Sequence, residues 1–209
     1  MAYSGWSTTN YIESTTGVIT ATPVTMCCWV NTTSLAAVQT PIGIYRSSSA
    51  PDTNSFELSI GTGGALSAKT SGASATTTTG AITTNTWAHV CGVFTSATSR
   101  AAFINGANKA TNATSSTPTG LNRLSIGVER GGFGSGEAFS GAIAEAAYWN
   151  AALTDDEVAA LGKGFSPRLI RPSALVAYLP LIRDFVDVKG AGFSVTGSLT
   201  VADHCAIRG

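Results

Sequence analysis

Apolar and polar positions alternate with a period of two along most of the chain, in short runs separated by glycine, proline, asparagine and serine. That pattern predicts antiparallel strands with one buried and one solvated face. The clearest run, Val24-Thr-Met-Cys-Cys-Trp-Val30, puts Val24, Met26, Cys28 and Val30 on one face and Thr25, Cys27 and Trp29 on the other. Further strands are expected at 10–14, 17–20, 41–45, 55–60, 66–70, 86–94, 100–104, 109–112 and 122–127. Residues 71–80 read as a loop plus a thin edge strand. Asn105-Gly106 is a type I′ hairpin turn, because both residues tolerate positive φ.

The pattern is most legible at 139–162, a strand followed at once by a short helix. In the strand, Ile143 shares a period-two face with Gly141, Glu145 and Ala147, and Tyr148 and Trp149 close it with ring surface. The period then changes. Thr154 and Glu157 form a capping box, Leu153 and Val158 have staple spacing, Asp155 and Asp156 suit the positive helix end, and Gly162 suits the stop. A helix of about two turns over 154–161 is predicted.

Beyond 162 the composition shifts. Lys163, Arg168 and Arg171 lie among Pro167 and Pro172, with no acid until Asp184, which reads as an extended connector. Residues 173–179 are strand-like, and 193–201 offer one more strand before the tail. The division is therefore 1–162 as a β-sandwich and 163–209 as connector, return strand and C-terminal arm. This arm reads equally as a docking element, with Arg168, Arg171 and His204 as its contacts, or as a last strand with a frayed end.

Length and composition narrow the class. The 209 residues, 44% hydrophobic, suffice for one well-buried core. Only 11% are charged and the formal net charge is +0, so nothing favours a nucleic-acid surface. A surface built from Ser, Thr and Asn repels its neighbours weakly, which suits a protein that works in an assembly. No apolar run reaches the length of a membrane span, and Met1-Ala-Tyr-Ser-Gly-Trp6 lacks the basic start and apolar core of an export signal. Synthesis in a cytoplasm is expected. The cysteines at 27, 28, 91 and 205 lack zinc-site spacing. They are either buried free thiols, or Cys205 and whichever of Cys27 and Cys28 faces outward bond a neighbouring chain.

Chemistry-bearing motifs are scarce. No Gly-x-Ser-x-Gly is present, and two histidines give no secure triad. His89 reads as a half-buried, hydrogen-bonded strand residue. Asp203, His204 and Cys205 are consecutive and poorly placed to surround one ion. Asn31 and Asn112 match the glycosylation acceptor pattern and read as plain surface asparagines. Glu129 to Gly136 is glycine-rich but precedes no helix, so a phosphate cradle is excluded by context.

Phe139, Gly141, Ile143, Glu145, Tyr148, Trp149, Asn150, Leu153, Thr154 and Glu157 together resemble the end of a laminin G-like domain, the jelly roll also seen in concanavalin-type lectins. Val24 to Val30, the Trp87-x-His89-Val90 … Phe103-Ile-Asn-Gly106 hairpin and Leu124-Ser-Ile-Gly127 resemble other blocks of that family, so the likeness covers roughly 10–162. It implies an all-β fold, a two-sheet antiparallel jelly-roll sandwich with one short helix. It also implies that Cys28 is core and Cys27 the more exposed of the two, making Cys27 and Cys205 the candidates for interchain disulfides. The laminarinase-type run Glu-x-Asp-x-x-Glu is missing and Glu137 and Glu145 are eight apart, so no enzyme is expected. Calcium is frequent in the family, but no Asp or Glu occurs from Leu58 through Val128, which leaves Asp52 as the acidic loop candidate there. No cofactor or metal is expected. The overall look is similar to structural proteins of tailed bacteriophages. The expectation is a capsid decoration protein on a virion, made in the host cytoplasm, with the major capsid protein or neighbouring copies as partners in a homo-oligomer and no nucleic-acid or membrane partner. The alternative is a lectin-like adhesion module for a host-surface glycan, with Trp6, Trp29 and Trp149 as stacking candidates.

Overall fold

The structure, a computed structural model, describes residues 1–48, 54–77, 81–131, 136–182 and 184–207. Its strands are β1 (Ala2–Ser4), β2 (Tyr11–Ser14), β3 (Val24–Thr32), β4 (Gln39–Tyr45), β5 (Ser55–Ile60), β6 (Leu66–Thr70), β7 (Ala73–Thr76), β8 (Ala88–Ser96), β9 (Ser99–Ile104), β10 (Ala107–Asn112), β11 (Arg123–Ile126), β12 (Gly141–Trp149), β13 (Leu175–Leu179), β14 (Ser194–Thr196) and β15 (Thr200–Ala202), with helix α1 (Asp155–Gly162). They form a two-sheet antiparallel sandwich. Sheet I runs β10-β9-β8-β3-β12-β1-β15, with β13 also paired to β12, and sheet II runs β14-β2-β11-β4-β5-β6-β7.

Alternation decides what lies between the sheets. Val24, Met26, Cys28 and Val30 of β3 share one core with Ile42 and Ile44 of β4 and Phe56, Leu58 and Ile60 of β5. Packing there leaves no spare room: a Cβ on Gly92 of β8 would lie 2.7 Å from Leu58 Cδ2. Side-chain hydrogen bonds tie the layers: the hydroxyl of fully buried Tyr148 on β12 donates to the carbonyl of Ser125 on β11 at 2.8 Å, and Gln39 Nε2 of β4 donates to Thr32 Oγ1 of β3 at 3.1 Å.

Sheet I is apolar on its outer face too. Cys27, Cys91, Val93, Phe103, Ala147 and Trp149 form a second cluster capped by Val158 and Leu161 of α1. This corrects the expectation that Cys27 is the more exposed neighbour: β3 is covered on both sides, and Cys27 is as buried as Cys28. The helix follows the predicted signals. Glu157 N–H donates to Thr154 Oγ1 at 3.3 Å, and Thr154 N–H donates to Glu157 Oε2 at 2.7 Å.

The period-two face predicted for β12 breaks at Glu145. This residue has φ 54°, and the register against β3 shifts between Ala144 and Ala147. Such a bulge inserts one residue and reverses the alternation beyond it. Ile143 therefore faces the core between the sheets whereas Ala147 faces α1, and Ala146 and Tyr148 take over the inner side. The bend also lets β12 use one edge twice, pairing β1 at Ile143 and β13 from Ala146 onward.

The termini differ from expectation. Residues 2–4 form an unpredicted strand, while 17–20 form none; Gly17 lies in the left-handed region at φ 63°, which ends extended backbone there. The single strand expected over 193–201 is two. β14 adds to the edge of sheet II beside β2, and β15 to the edge of sheet I beside β1, with Gly197 (φ 75°) between them.

Candidate functional site

The outer face of sheet II is where this weakly charged chain gathers charge. With only 12 basic and 12 acidic residues in all, Glu13, Glu57, Lys69, Arg123 and Arg130 meet on it. Strand register sets one polar row across the whole sheet: Ser194, Glu13, Ser125, Gly43, Glu57, Lys69 and Ser74 are successive cross-strand partners. Alternation causes this, since the same strands send Ile12, Ile42, Leu58 and Ala68 inward.

Two ion clusters anchor the row. At one end, Glu13 Oε2 lies 3.1 Å from Arg130 Nε and 3.4 Å from Arg123 Nε, and the Arg130 guanidinium sits 4.3 Å over the Tyr11 ring. Toward the other end, Lys69 Nζ lies 2.8 Å from Glu57 Oε1. That second pair forms the wall of a cleft of about 220 Å³ lined by Ser55, Glu57, Lys69, Thr70, Gly72, Ala73 and Ser74. Glu57 is buried and Lys69 about a quarter exposed, so the carboxylate is fixed from beneath and the ammonium reaches solvent. Tyr45 lies flat over Gly43, where a Cβ would collide with its ring. Burial pushes its phenol well above the ordinary range, and the nearby Glu57 and Glu129 carboxylates add to this, so its hydroxyl stays protonated. The cleft thus sets an ammonium donor and several hydroxyls beside a buried carboxylate that orients the ammonium, a set suited to a ligand with many hydroxyl groups.

None of these residues was singled out from the sequence. The signal lay in Ser-Phe-Glu-Leu-Ser-Ile: an acid in mid-strand, in a chain so poor in charge, must face solvent or a partner.

The residues that were singled out lie elsewhere. Trp6 packs over Gly127 and is buried. Trp149 is fully buried, its Nε1–H donating to the Ile170 carbonyl at 2.8 Å. Neither offers a stacking face. Trp29 is half-buried on the outer face of sheet I, 5.5 Å from the His89 ring and packed in the same patch as Trp87. Arg168 is exposed on a short 3₁₀ turn. Arg171 is a clamp, with Nε 2.6 Å from Glu157 Oε1 and Nη1 donating to the Ala152 carbonyl. Burial alone would raise the Glu157 carboxyl, but the bonds from Arg171 and Thr154 outweigh it and hold the group low. Cys205 is buried, and burial pushes its thiol up to about 12. All four cysteines are free and buried in the protomer, which opposes the interchain disulfides expected at Cys27 and Cys205. His89 is buried rather than half-buried, has no side-chain hydrogen-bond partner among the described residues, and burial lowers it to about 3, so it is neutral.

His204 joins a second polar group, on sheet I. Its Nε2 lies 3.2 Å from Glu145 Oε1, and the other Glu145 oxygen accepts from the Tyr178 hydroxyl. Cys205 Sγ is 3.8 Å from Nδ1 of the same ring, but a thiol held protonated by burial is no nucleophile. The donor set for calcium does not fit: among the described residues no three His, Cys, Asp or Glu side chains converge as metal ligands, and Asp52 lies outside the described residues. No described helix is long and apolar enough to cross a membrane.

The fold is shared widely. A candidate carbohydrate-binding protein from Bacteroides ovatus superposes with a TM-score of 0.68 at 20% identity, over 95% of this chain and 58% of that one. The sialidase carbohydrate-binding module of Ruminococcus gnavus, solved with α2,3-sialyllactose, gives 0.57 at 19%, over 70% of this chain and 84% of that one. Domain 4 of an extracellular arabinanase from Geobacillus stearothermophilus, solved with arabinotriose, gives 0.53 at 23%, over 70% and 69%. The chain thus spans little more than half of the Bacteroides protein. No match was found among curated proteins. The family model for the concanavalin A-like lectin/glucanases superfamily, Laminin_G_3, matches residues 6–159, and with the sandwich described above this chain belongs to that superfamily.

Proposed function

We propose that the chain is a non-catalytic glycan-binding module whose ligand lies on the polar face of sheet II, in the cleft walled by Glu57 and Lys69. The observation that carries this reading is the meeting of a buried carboxylate, a solvent-reaching ammonium and three hydroxyl side chains in one cleft of about 220 Å³. The names of the structural neighbours, two of them solved with oligosaccharides, support the same class of ligand. Hydrolysis is not part of the reading. Glu13 and Glu57 share the row but stand three strand spacings apart, about 14 Å, beyond the roughly 5–9.5 Å that two-carboxylate glycosidases use. A glycan array probed with the tagged chain tests the proposal. A hit class retained by the wild type and lost in Lys69→Ala, whose far-UV circular dichroism shows the sandwich still folded, supports it; no hit from a folded protein rejects it.

The second reading is the assembly protein suggested by the sequence, docking on a major capsid protein or on copies of itself in a virion. Phe165 and Leu169, 40% and 57% exposed and four residues apart on the connector that carries Arg168, favour it, because large apolar side chains left exposed on one short segment are contact material. Burial of Cys27 and Cys205 in the protomer lends no support to a disulfide lock in that reading. Size-exclusion chromatography with light scattering separates the two: a concentration-dependent oligomer abolished by Phe165→Ser with Leu169→Ser supports assembly, and a monomer at every concentration counts against self-association.

A further inference from the structure

After β15 the chain turns back over the outer face of sheet I. Ala2, Ala142 and Ala144 form a floor of small residues with Cys205 on it, and Trp29, Trp87, Ala202 and Ile207 pack around the same patch. Side chains that end at Cβ leave a trough between bulkier neighbours, and residues 202–207 lie in it.

The trough is bounded by the β12 bulge. Glu145, 2% exposed, accepts from Tyr178 and faces His204 Nε2 at 3.2 Å. The same Nε2 is 3.2 Å from the Pro180 carbonyl, and Nδ1 is 2.6 Å from the Cys205 carbonyl. Both ring nitrogens therefore face oxygen acceptors. A neutral imidazole has one N–H to give, and only the imidazolium satisfies both sides. The other titratable groups around the pair are Cys27 on β3, Tyr178 on β13, Arg168 near Tyr178, and Cys205 and the Met1 amino group on the tail side. Burial keeps the two thiols and the phenol protonated, so among these side chains His204 is the one poised to change charge near neutrality.

We propose that residues 203–207 are a proton-controlled strap, held in the alanine trough by the His204–Glu145 pair and released when the imidazolium loses its proton, which uncovers Trp29 and Trp87. The uncovered trough presents two indole rings, an apolar floor and a carboxylate at its end, chemistry that stacks the face of a sugar ring and accepts from its hydroxyls. That use of the trough rests on the glycan-binding reading; release of the strap does not.

The test is acrylamide quenching of tryptophan fluorescence on the full chain between about pH 5.5 and 9, spanning the histidine range. A Trp29→Phe/Trp87→Phe variant supplies the baseline of the two buried indoles, Trp6 and Trp149. The strap predicts that the wild-type quenching constant rises about twofold through the titration of His204, that the double variant stays flat, and that His204→Gln is readily quenched at every pH. Far-UV circular dichroism confirms that the sandwich persists, and the wild-type titration decides the matter even if His204→Gln fails to fold. A flat wild-type profile, or a folded His204→Gln that matches wild type at low pH, overturns the proposal. No glycan is present, so failure here leaves the glycan reading standing, and an empty glycan array leaves the strap standing.

Discussion

Replacing Glu145 with glutamine tests the physical account of the β12 bulge. The carboxylate accepts from the Tyr178 hydroxyl and from the His204 imidazolium in a nearly dry site. Glutamine keeps one acceptor oxygen but turns an amide donor toward a donor, so one charge-assisted hydrogen bond is lost. Such a bond contributes about 1.5–3 kcal/mol. For a chain of this size that is a fall of roughly 3–12 °C in melting temperature. The pH dependence is the sharper part. Burial alone would lower the His204 pKa, but the bond to Glu145 and those to the Cys205 and Pro180 carbonyls outweigh it, and the group ends above its ordinary 6.5. A group raised on folding contributes stability that is fully present below its unfolded value and lost as pH rises through its folded value. The gap between wild type and Glu145→Gln is therefore largest near pH 5.5 and narrows by about pH 9. Urea denaturation at both pH values measures it. A gap that is constant, or that widens with pH, refutes the assignment of His204 as the cationic partner. The backbone makes a separate contribution: a non-glycine residue at φ 54° is strained, so Glu145→Gly should be more stable than Glu145→Ala by about 1 kcal/mol.

Other consequences follow from single contacts. Thr154→Ala removes half of the capping box on α1 and should destabilise by about 1 kcal/mol, read as a shift in the urea midpoint with unchanged slope. Gly43→Ala drives a methyl into the Tyr45 ring, so it should destabilise by about 1–3 kcal/mol and alter the near-ultraviolet tyrosine signal; a silent substitution would contradict the placement of that ring. All four cysteines are free and buried. At pH 7 an aromatic disulfide reagent should leave Cys27, Cys28 and Cys91 untouched in the native protein and titrate four thiols in denaturant, with a monomer on a non-reducing gel.

What the sequence disclosed depends on whether a local rule was enough. The capping box at Thr154 and Glu157 is made by groups three residues apart, and it could be read directly. So could the division of β3 into two faces, because successive side chains of a strand point to opposite sides. Cys27 could not, since its burial depends on a helix 130 residues away in the chain folding back over sheet I. The reversal of β12 was hidden for a related reason: an extra residue at Glu145 looks like ordinary alternation until its neighbours β1 and β13 show that they share one edge. The cleft residues come from strands distant in sequence, and only the register that aligns Glu57 with Lys69 makes them a site. Tryptophans drew attention as stacking candidates because their rings are conspicuous, yet Trp6 and Trp149 serve the core.

The glycan-binding claim is tested most directly by amide chemical-shift mapping of the isotopically labelled full chain, titrated with arabinotriose, sialyllactose and any oligosaccharide retained on the array. The account predicts saturable shifts concentrated on Ser55, Glu57, Lys69, Thr70, Gly72 and Ser74, and their loss in Lys69→Ala. At about pH 5.5, where the 203–207 strap is closed, saturable shifts centred elsewhere on the sandwich, or none with any of these sugars, would contradict it.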